Sequence, residues 1–197
     1  MSDFLAEIRG HHPSYHGRPV PSFGPADARL LLVGLAPGLH GANATGRPFT
    51  GDFAGKLLYV TLHQFGFASR PESLAADDGL QLLDCRITNA VRCVPPQNKP
   101  TPAEVRTCNM YLQQEIAALP RAAVILALGA IAHGAVLRAL GLRSAAHAFG
   151  HGNIHGLPTG ATLVDSYHCS RYNTQTRRLT AAMFRGVFSS VRELLGP

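Results

Sequence analysis

The chain has 197 residues, 46% of them hydrophobic and 15% charged, with a formal net charge of +6. That length suits one domain with a sizeable core, expected over residues 1–197, and the composition excludes an intrinsically disordered chain. Arginine carries nearly all of the positive charge, because Lys56 and Lys99 are the only lysines. The balance suits a polyanionic partner through counterion release, although an arginine-favouring codon usage accounts for it equally well.

No apolar run approaches the length of a membrane span, and Met1-Ser2-Asp3-Phe4 does not open a secretory signal, so a cytoplasmic location is expected. Arg29–Gly34 (RLLLVG) is a continuous apolar run ending in glycine, the pattern of a strand buried on both faces. A glycine-rich loop is predicted from Leu35 to Asp52. A helix follows over Phe53–Phe65, where Leu57, Leu58, Val60, Thr61 and Leu62 recur at helical spacing. Cys85–Val91 is a second short strand. Thr101-Pro102-Ala103-Glu104 opens the best-marked helix, with Thr at the N-cap, Pro at the first helical position and Glu placed to reach back to the cap amide. Its apolar face reads Val105, Cys108, Leu112, Ile116 and Leu119. Ala123–Leu128 is a third strand, Ile131–Leu140 the helix after it, and Ala161–Ser166 a fourth strand. A C-terminal helix over Leu179–Leu195 repeats Leu179, Met183, Val187, Val191 and Leu195. Apolar strands alternating with helices predict an α/β fold: three α/β/α layers around a central four-stranded parallel sheet.

Ligands of such sheets bind beyond the carboxyl ends of the strands, which selects three loops. The first runs Gly34-Leu35-Ala36-Pro37-Gly38-Leu39-His40 and on through Asn43, Gly46 and Phe49 to Asp52, with glycines that admit close backbone approach. Two nucleotide motifs nearby fail. Gly51–Leu57 is one residue short of a phosphate-binding Walker loop and has Leu where the metal needs a hydroxyl, and Gly150–Gly156 misses the dinucleotide spacing. The second loop carries Asn89 and Asn98. An Asn at a strand end donates and accepts at once, matching a ligand edge with an imide N–H beside a carbonyl, while a turn or capping role is the plainer alternative. The third loop, Ser166–Arg177, sets His168 directly past the last strand among hydroxyls and arginines.

Long motifs in these loops carry a family resemblance. They are Arg18-Pro-Val-Pro-Ser-Phe-Gly24; Gly34-Leu-Ala-Pro-Gly38 with His40-Gly41, Asn43, Thr45-Gly46 and Phe49-Thr-Gly-Asp52; Val91-Arg-Cys93 with Pro95-Pro96 and Asn98-Lys-Pro-Thr-Pro102; and Ser166-Tyr-His168 with Asn173-Thr174, Thr176 and Arg178-Leu-Thr180. In this order, from about residue 18 to 184, the chain resembles the family 5, or type b, uracil-DNA glycosylases. The resemblance implies a four-stranded parallel sheet flanked by helices, and an enzyme that flips uracil out of DNA and hydrolyses its N-glycosidic bond; a monomer is expected.

The roles below are what that resemblance implies. Phe49 stacks on the flipped base. Asn98 serves catalysis and base binding, and Asn89 sits where other branches read uracil. His168 bonds the pyrimidine O2 and stabilises charge there as the bond breaks. Asp52 lies near the water and the sugar, with an N-cap for the helix at Phe53 as its alternative role. Gly34, Ala36, Pro37, Gly38 and His40 complete the base-binding loop. Ser170, Arg171, Tyr172, Asn173, Gln175 and Arg177 form the wedge and phosphate clamp, with Tyr172 or Gln175 filling the vacated stack. Ala36 stands where other branches place a water-positioning side chain, and nothing bulky near Gly38 excludes larger bases such as hypoxanthine. Neither lysine matches a family nucleophile, so no lyase step is expected.

Most family members hold a [4Fe–4S] cluster on four cysteines, two of them in an N-terminal C-x-x-C. Here Met1–His16 has no cysteine, Cys93 and Cys108 match the other two positions, and Cys85 and Cys169 are not replacements. No cofactor and no metal are expected. His147, His151 and His155 recur every fourth residue, but Gly150, Gly152 and Pro158 argue against the helix that would align them. Two other readings stay open: a lesion-binding relative without catalysis, and a metal-dependent hydrolase.

Overall fold

The computed structural model describes residues 2–196, so the expected domain limits Met1 and Pro197 themselves lie outside the described residues. Four strands pair in parallel: β1 (Leu30–Gly34), β2 (Cys85–Asn89), β3 (Val124–Leu128) and β5 (Thr162–Ser166). A fifth, β4 (Ile154–Gly156), runs antiparallel along β5, giving the order β2-β1-β3-β5-β4. The predicted four-stranded sheet is thus a five-stranded one. Three residues with a largely exposed pattern carry no strand signal, and β4 exists only because β5 offers it a ladder.

Alternation along the buried strands divides the core. Leu30 and Leu32 of β1, with Val124, Leu126 and Leu128 of β3, pack on one face with helices α3 (Phe53–Gln64) and α7 (Ala181–Leu195). Leu31 and Val33, with Ile125 and Ala127, pack on the other with α4 (Pro102–Ala117) and α5 (Ala130–Ala139). All five residues of β1 and of β3 are buried, which is why neither strand alternates with polar residues. Each such side chain contributes roughly 1.5–3 kcal/mol by leaving water.

The helix signals hold where capping chemistry sets them. At α4 the Thr101 hydroxyl accepts from the Glu104 N–H at 3.3 Å, and Glu104 Oε2 accepts from the Thr101 N–H at 2.8 Å. At α7 the buried face includes Phe184 and Phe188 while Met183 is half-buried, so the inward stripe is rotated from the predicted one and the helix begins after the Thr180 cap. Three helices had no sequence prediction: α1 (Ser2–His11), α2 (Ala42–Thr45) and α6 (Arg171–Gln175). The first buries little beyond Leu5 and Ile8, and the other two are single turns inside loops, too short for periodicity to register. Among the described residues no helix is long and apolar enough to cross a membrane.

The connection leaving β1 runs through α3 to β2, and that leaving β3 runs through α5 to β5, on opposite faces and in opposite directions. The strand order reverses between β1 and β3, and the crevice beyond their carboxyl ends is the expected ligand site.

Candidate active site

The loop from Leu35 to Asp52 crosses that crevice and is held by its own polar groups. Arg47 reaches away from the sheet to Asp78, at 2.7 Å and nearly buried, and its guanidinium lies 4.5 Å from the Phe23 ring. Thr50 and Ser73 share a hydrogen bond of 2.6 Å. With these anchors Phe49 is held at φ 59°, a conformation that costs a bulky residue of order 1–3 kcal/mol and is characteristic of functional loops. Its ring is turned inward over Gly34, where any Cβ would meet both the ring and the Asn89 amide.

Asp52 has the N-cap position of α3 but makes no side-chain cap bond. Its carboxylate turns back to the loop and accepts from the Ala42 N–H at 3.1 Å. The space it occupies exists because residues 38 and 41 are glycines, since a Cβ at either would run into the carboxylate. Burial raises the Asp52 pKa above the usual carboxylate range, and the N–H groups of Ala42 and Gly38 offset part of that rise. The helix-capping alternative is therefore not the role of this side chain.

Asn89 ends β2 with its amide beside Gly34, and its buried Oδ1 has no hydrogen-bond partner. A buried acceptor left unmade costs about 1–3 kcal/mol, so it is poised for a donor from outside. Asn98 sits at the rim, exposed, following Gln97 in a pair of left-handed residues (φ 54° and 55°). His168 follows β5 two residues on, its ring near-parallel to Phe49 with centroids 6.1 Å apart. Burial lowers its pKa to about 4, so it is a neutral imidazole near neutral pH.

These groups surround one cavity of about 450 Å³, lined among others by Ala36, Gly38, Phe49, Asp52, Asn89, Asn98 and His168, which falls in the usual range for a small-molecule site. Ser170 and Arg171 line its outer wall. Gly34 and Pro37 are not among the lining residues. His40 turns to the amino-terminal segment, with Nδ1 2.9 Å from the Tyr15 hydroxyl. Asn173 donates from Nδ2 to the His168 carbonyl at 2.8 Å, so it positions the histidine. Tyr172 projects into solvent at 71% exposure, and Gln175 and Arg177 are also exposed outside the cavity. The sequence reading missed three lining residues, Leu35, Phe53 and Ala54. Phe53 is partly exposed beneath the Arg171 guanidinium, 4.9 Å from its ring centre, and its place at a helix start carried no signal in the sequence.

Residues 21–192 match the family model of the uracil DNA glycosylase superfamily. The chain belongs to the uracil DNA glycosylase superfamily. A relative named Type-5 uracil-DNA glycosylase, from Thermus thermophilus, is 53% identical over 182 residues, 92% of this chain and 83% of the relative. One of the same name from Mycobacterium leprae is 46% identical over 186 residues, 92% of this chain and 80% of the relative. A third, from Pyrobaculum aerophilum, is 46% identical over 168 residues, covering 85% and 72%.

The thiols do not fit the four-cysteine [4Fe–4S] cluster that the family resemblance implies. Cys85 and Cys169 are fully enclosed in the core between the sheet, α3 and α7, where burial pushes both thiols up, Cys169 to about 12. Cys93 and Cys108 are near enough to interact, but two thiols are half of the required set. Among the described residues the one group of three or more side chains close enough to share a metal contains no cysteine.

Proposed function

We propose that the chain is a monofunctional DNA glycosylase that extrudes uracil from DNA and hydrolyses its N-glycosidic bond, opening base excision repair. The observation that carries this reading is the meeting of Phe49, Asp52, Asn89 and His168 around one base-sized cavity in a member of this superfamily. The Phe49 ring offers an apolar face to a planar base. The free Asn89 Oδ1 takes the imide N–H that uracil presents and cytosine lacks, and the Asn89 amide N–H donates to the adjacent carbonyl. As the bond from C1′ to N1 breaks, its electron pair passes to the pyrimidine ring and its O2. The neutral His168 N–H donates to that oxygen in a site shielded from water. Asp52, an anion once ionised, faces the cationic character that develops on the sugar, and water adds at C1′, its proton neutralising the departing pyrimidine anion.

Asn98 closes the rim, and Ser170, Arg171 and Tyr172 meet the DNA. With only Ala36 and Gly38 at the loop's inner edge, the same cavity also admits hypoxanthine and other deaminated bases. The enzyme acts as a cytoplasmic monomer of one domain, and neither an iron–sulfur cluster nor a metal takes part in the chemistry.

The test is a labelled duplex with one uracil, incubated with the protein in EDTA and then treated with alkali. Strand cleavage at the uracil only after alkali is expected. An intact strand both with and without EDTA means a lesion binder without catalysis, and activity lost to the chelator by protein that stays folded means a metal-dependent hydrolase. A covalent DNA adduct trapped by borohydride contradicts the monofunctional reading. Parallel duplexes with hypoxanthine, ethenocytosine and thymine measure breadth, and release of uracil alone removes it.

A further inference from the structure

On the far side of β5 from the cavity, two imidazoles face a buried carboxylate. His133 comes from α5, His155 from β4 and Asp165 from β5, and their ligand-capable atoms all lie within 4.8 Å of one another. His133 Nδ1 is 2.7 Å from Asp165 Oδ1, and His155 Nε2 is 3.4 Å from Asp165 Oδ2. The Asp165 side chain is wholly buried, His133 is nearly so, and His155 forms the outer wall at 14% exposure. Among the described residues the ion-pair partners of Asp165 are these two histidines, with no arginine or lysine.

One side-chain atom of each residue turns towards the other two, and the Gly150 N–H also reaches Asp165 Oδ2 at 3.4 Å. His133 Nε2 lies 2.9 Å from the His147 carbonyl oxygen, which only accepts, so that nitrogen carries a proton. The other ring nitrogen, Nδ1, faces Asp165 Oδ1. A proton bridges one such contact, whereas a metal ion is shared by all three residues. An imidazole whose outer N–H is fixed by a backbone carbonyl is also how metal-binding histidines are oriented.

We propose that His133, His155 and Asp165 form a binding site for a zinc-class divalent ion, tying the edge strand β4 to β5 and α5. Tetrahedral bonds of about 2.0–2.1 Å set ligands about 3.3 Å apart. The 3.4 Å spacing of His155 Nε2 and Asp165 Oδ2 matches, whereas His133 Nδ1 lies 2.7 Å from the other oxygen, Oδ1, and has to shift to share the ion. Two nitrogens and one carboxylate suit zinc, while magnesium and calcium prefer oxygen ligands. The His147 ring lies beside the group, its centre 5.6 Å from that of His155. Of the three histidines spaced every fourth residue, His155 is the one that reaches the carboxylate. His151 instead accepts from the Tyr167 N–H at 3.1 Å and stacks on the Tyr167 ring. The site is structural and stands apart from the glycosylase reading.

The experiment is calorimetric titration of chelator-stripped protein with zinc chloride near neutral pH, in the wild type and in a Cys93→Ser/Cys108→Ser background that excludes these thiols as competing ligands. One zinc per chain in both is expected, together with a melting midpoint that rises with zinc and tetrahedral d–d absorption when cobalt replaces it. His155→Ala is expected to weaken binding beyond the about 10–100-fold that an outer partner is worth. It lies at the sheet edge, so it keeps the test decisive if Asp165→Asn does not fold. No stoichiometric uptake by stripped wild type, or uptake undiminished in His155→Ala, overturns the proposal and leaves an internal hydrogen-bonded pair.

Discussion

The loop that leaves β1 and the segment that leaves β5 reach the same cavity from two sides and are built on different principles. Between Gly34 and Asp52 the chain is interlocked: Phe49 is buried in a strained conformation, Arg47 is tied to Asp78, and Asp52 fills the gap left by two glycines. From Ser170 to Arg177 the chain is mostly exposed, a single helical turn held by the Ser170 cap and by the Asn173 bond to the His168 carbonyl. The difference separates two tasks. On the proposed reading, groups that must meet a small base at fixed distance are over-determined by packing, while groups proposed to meet the DNA stand in solvent on short elements.

The comparison breaks most directly at the charged and polar groups of the enclosed side. Asp52→Asn and His168→Ala are each expected to lower the single-turnover excision rate by about 10²–10³-fold, with duplex binding in a shift assay little changed. A loss of binding equal to the loss of rate would remove the division of labour.

Next in size is the glycine gap. Gly38→Ala drives a methyl group into the Asp52 carboxylate, and a displaced catalytic group costs about 10²-fold for a shift of 1 Å. A lowered melting temperature should accompany the slower rate, and an unchanged rate would mean that the gap does not hold Asp52 in place.

The pH response sharpens the same contrast. Because burial holds His168 at about 4 against 6.5 for a free histidine, excision should show no imidazole limb between neutrality and mild acid. The acid fall-off instead follows Asp52, and it lies above the usual carboxylate range because burial raises that pKa. Stability has its own sign. The unfolded chain takes up the His168 proton below about pH 6.5 while the folded chain does not until about 4, so this contribution is present above 6.5 and lost as the pH falls to 4. Chemical denaturation of wild type and His168→Gln across that window measures it, and a smaller acid loss in the variant is expected.

The smallest effects belong to the exposed side. Arg171→Ala is expected to weaken uracil-duplex and plain-duplex binding alike and to reduce the slope of log K against log salt by about 1, the signature of one phosphate contact. A change confined to the uracil duplex would place Arg171 with the base-handling groups.

Legibility followed the range of the interactions. The four parallel strands were readable because β1 and β3 are apolar at every position, and α4 because its cap is a local pattern of four residues. Ala36, Gly38, Phe49, Asp52 and His168 were readable through motifs, whereas Leu35 was passed over and Phe53 looked like any residue at the start of a helix. His40 and Asn173 were grouped with the functional positions by motif alone, and their contacts turn them towards Tyr15 and the His168 backbone.

Composition, apolar periodicity and capping residues determined by themselves the layered α/β architecture and the strand ends at which chemistry had to lie, since these signals depend on near neighbours. Only the tertiary structure decided that Asp52 is held by loop N–H groups instead of capping α3, that Asn89 keeps a free buried oxygen, and that His133, His155 and Asp165 meet. Those outcomes depend on groups far apart in the chain being brought within hydrogen-bond reach, a distance that local sequence does not encode.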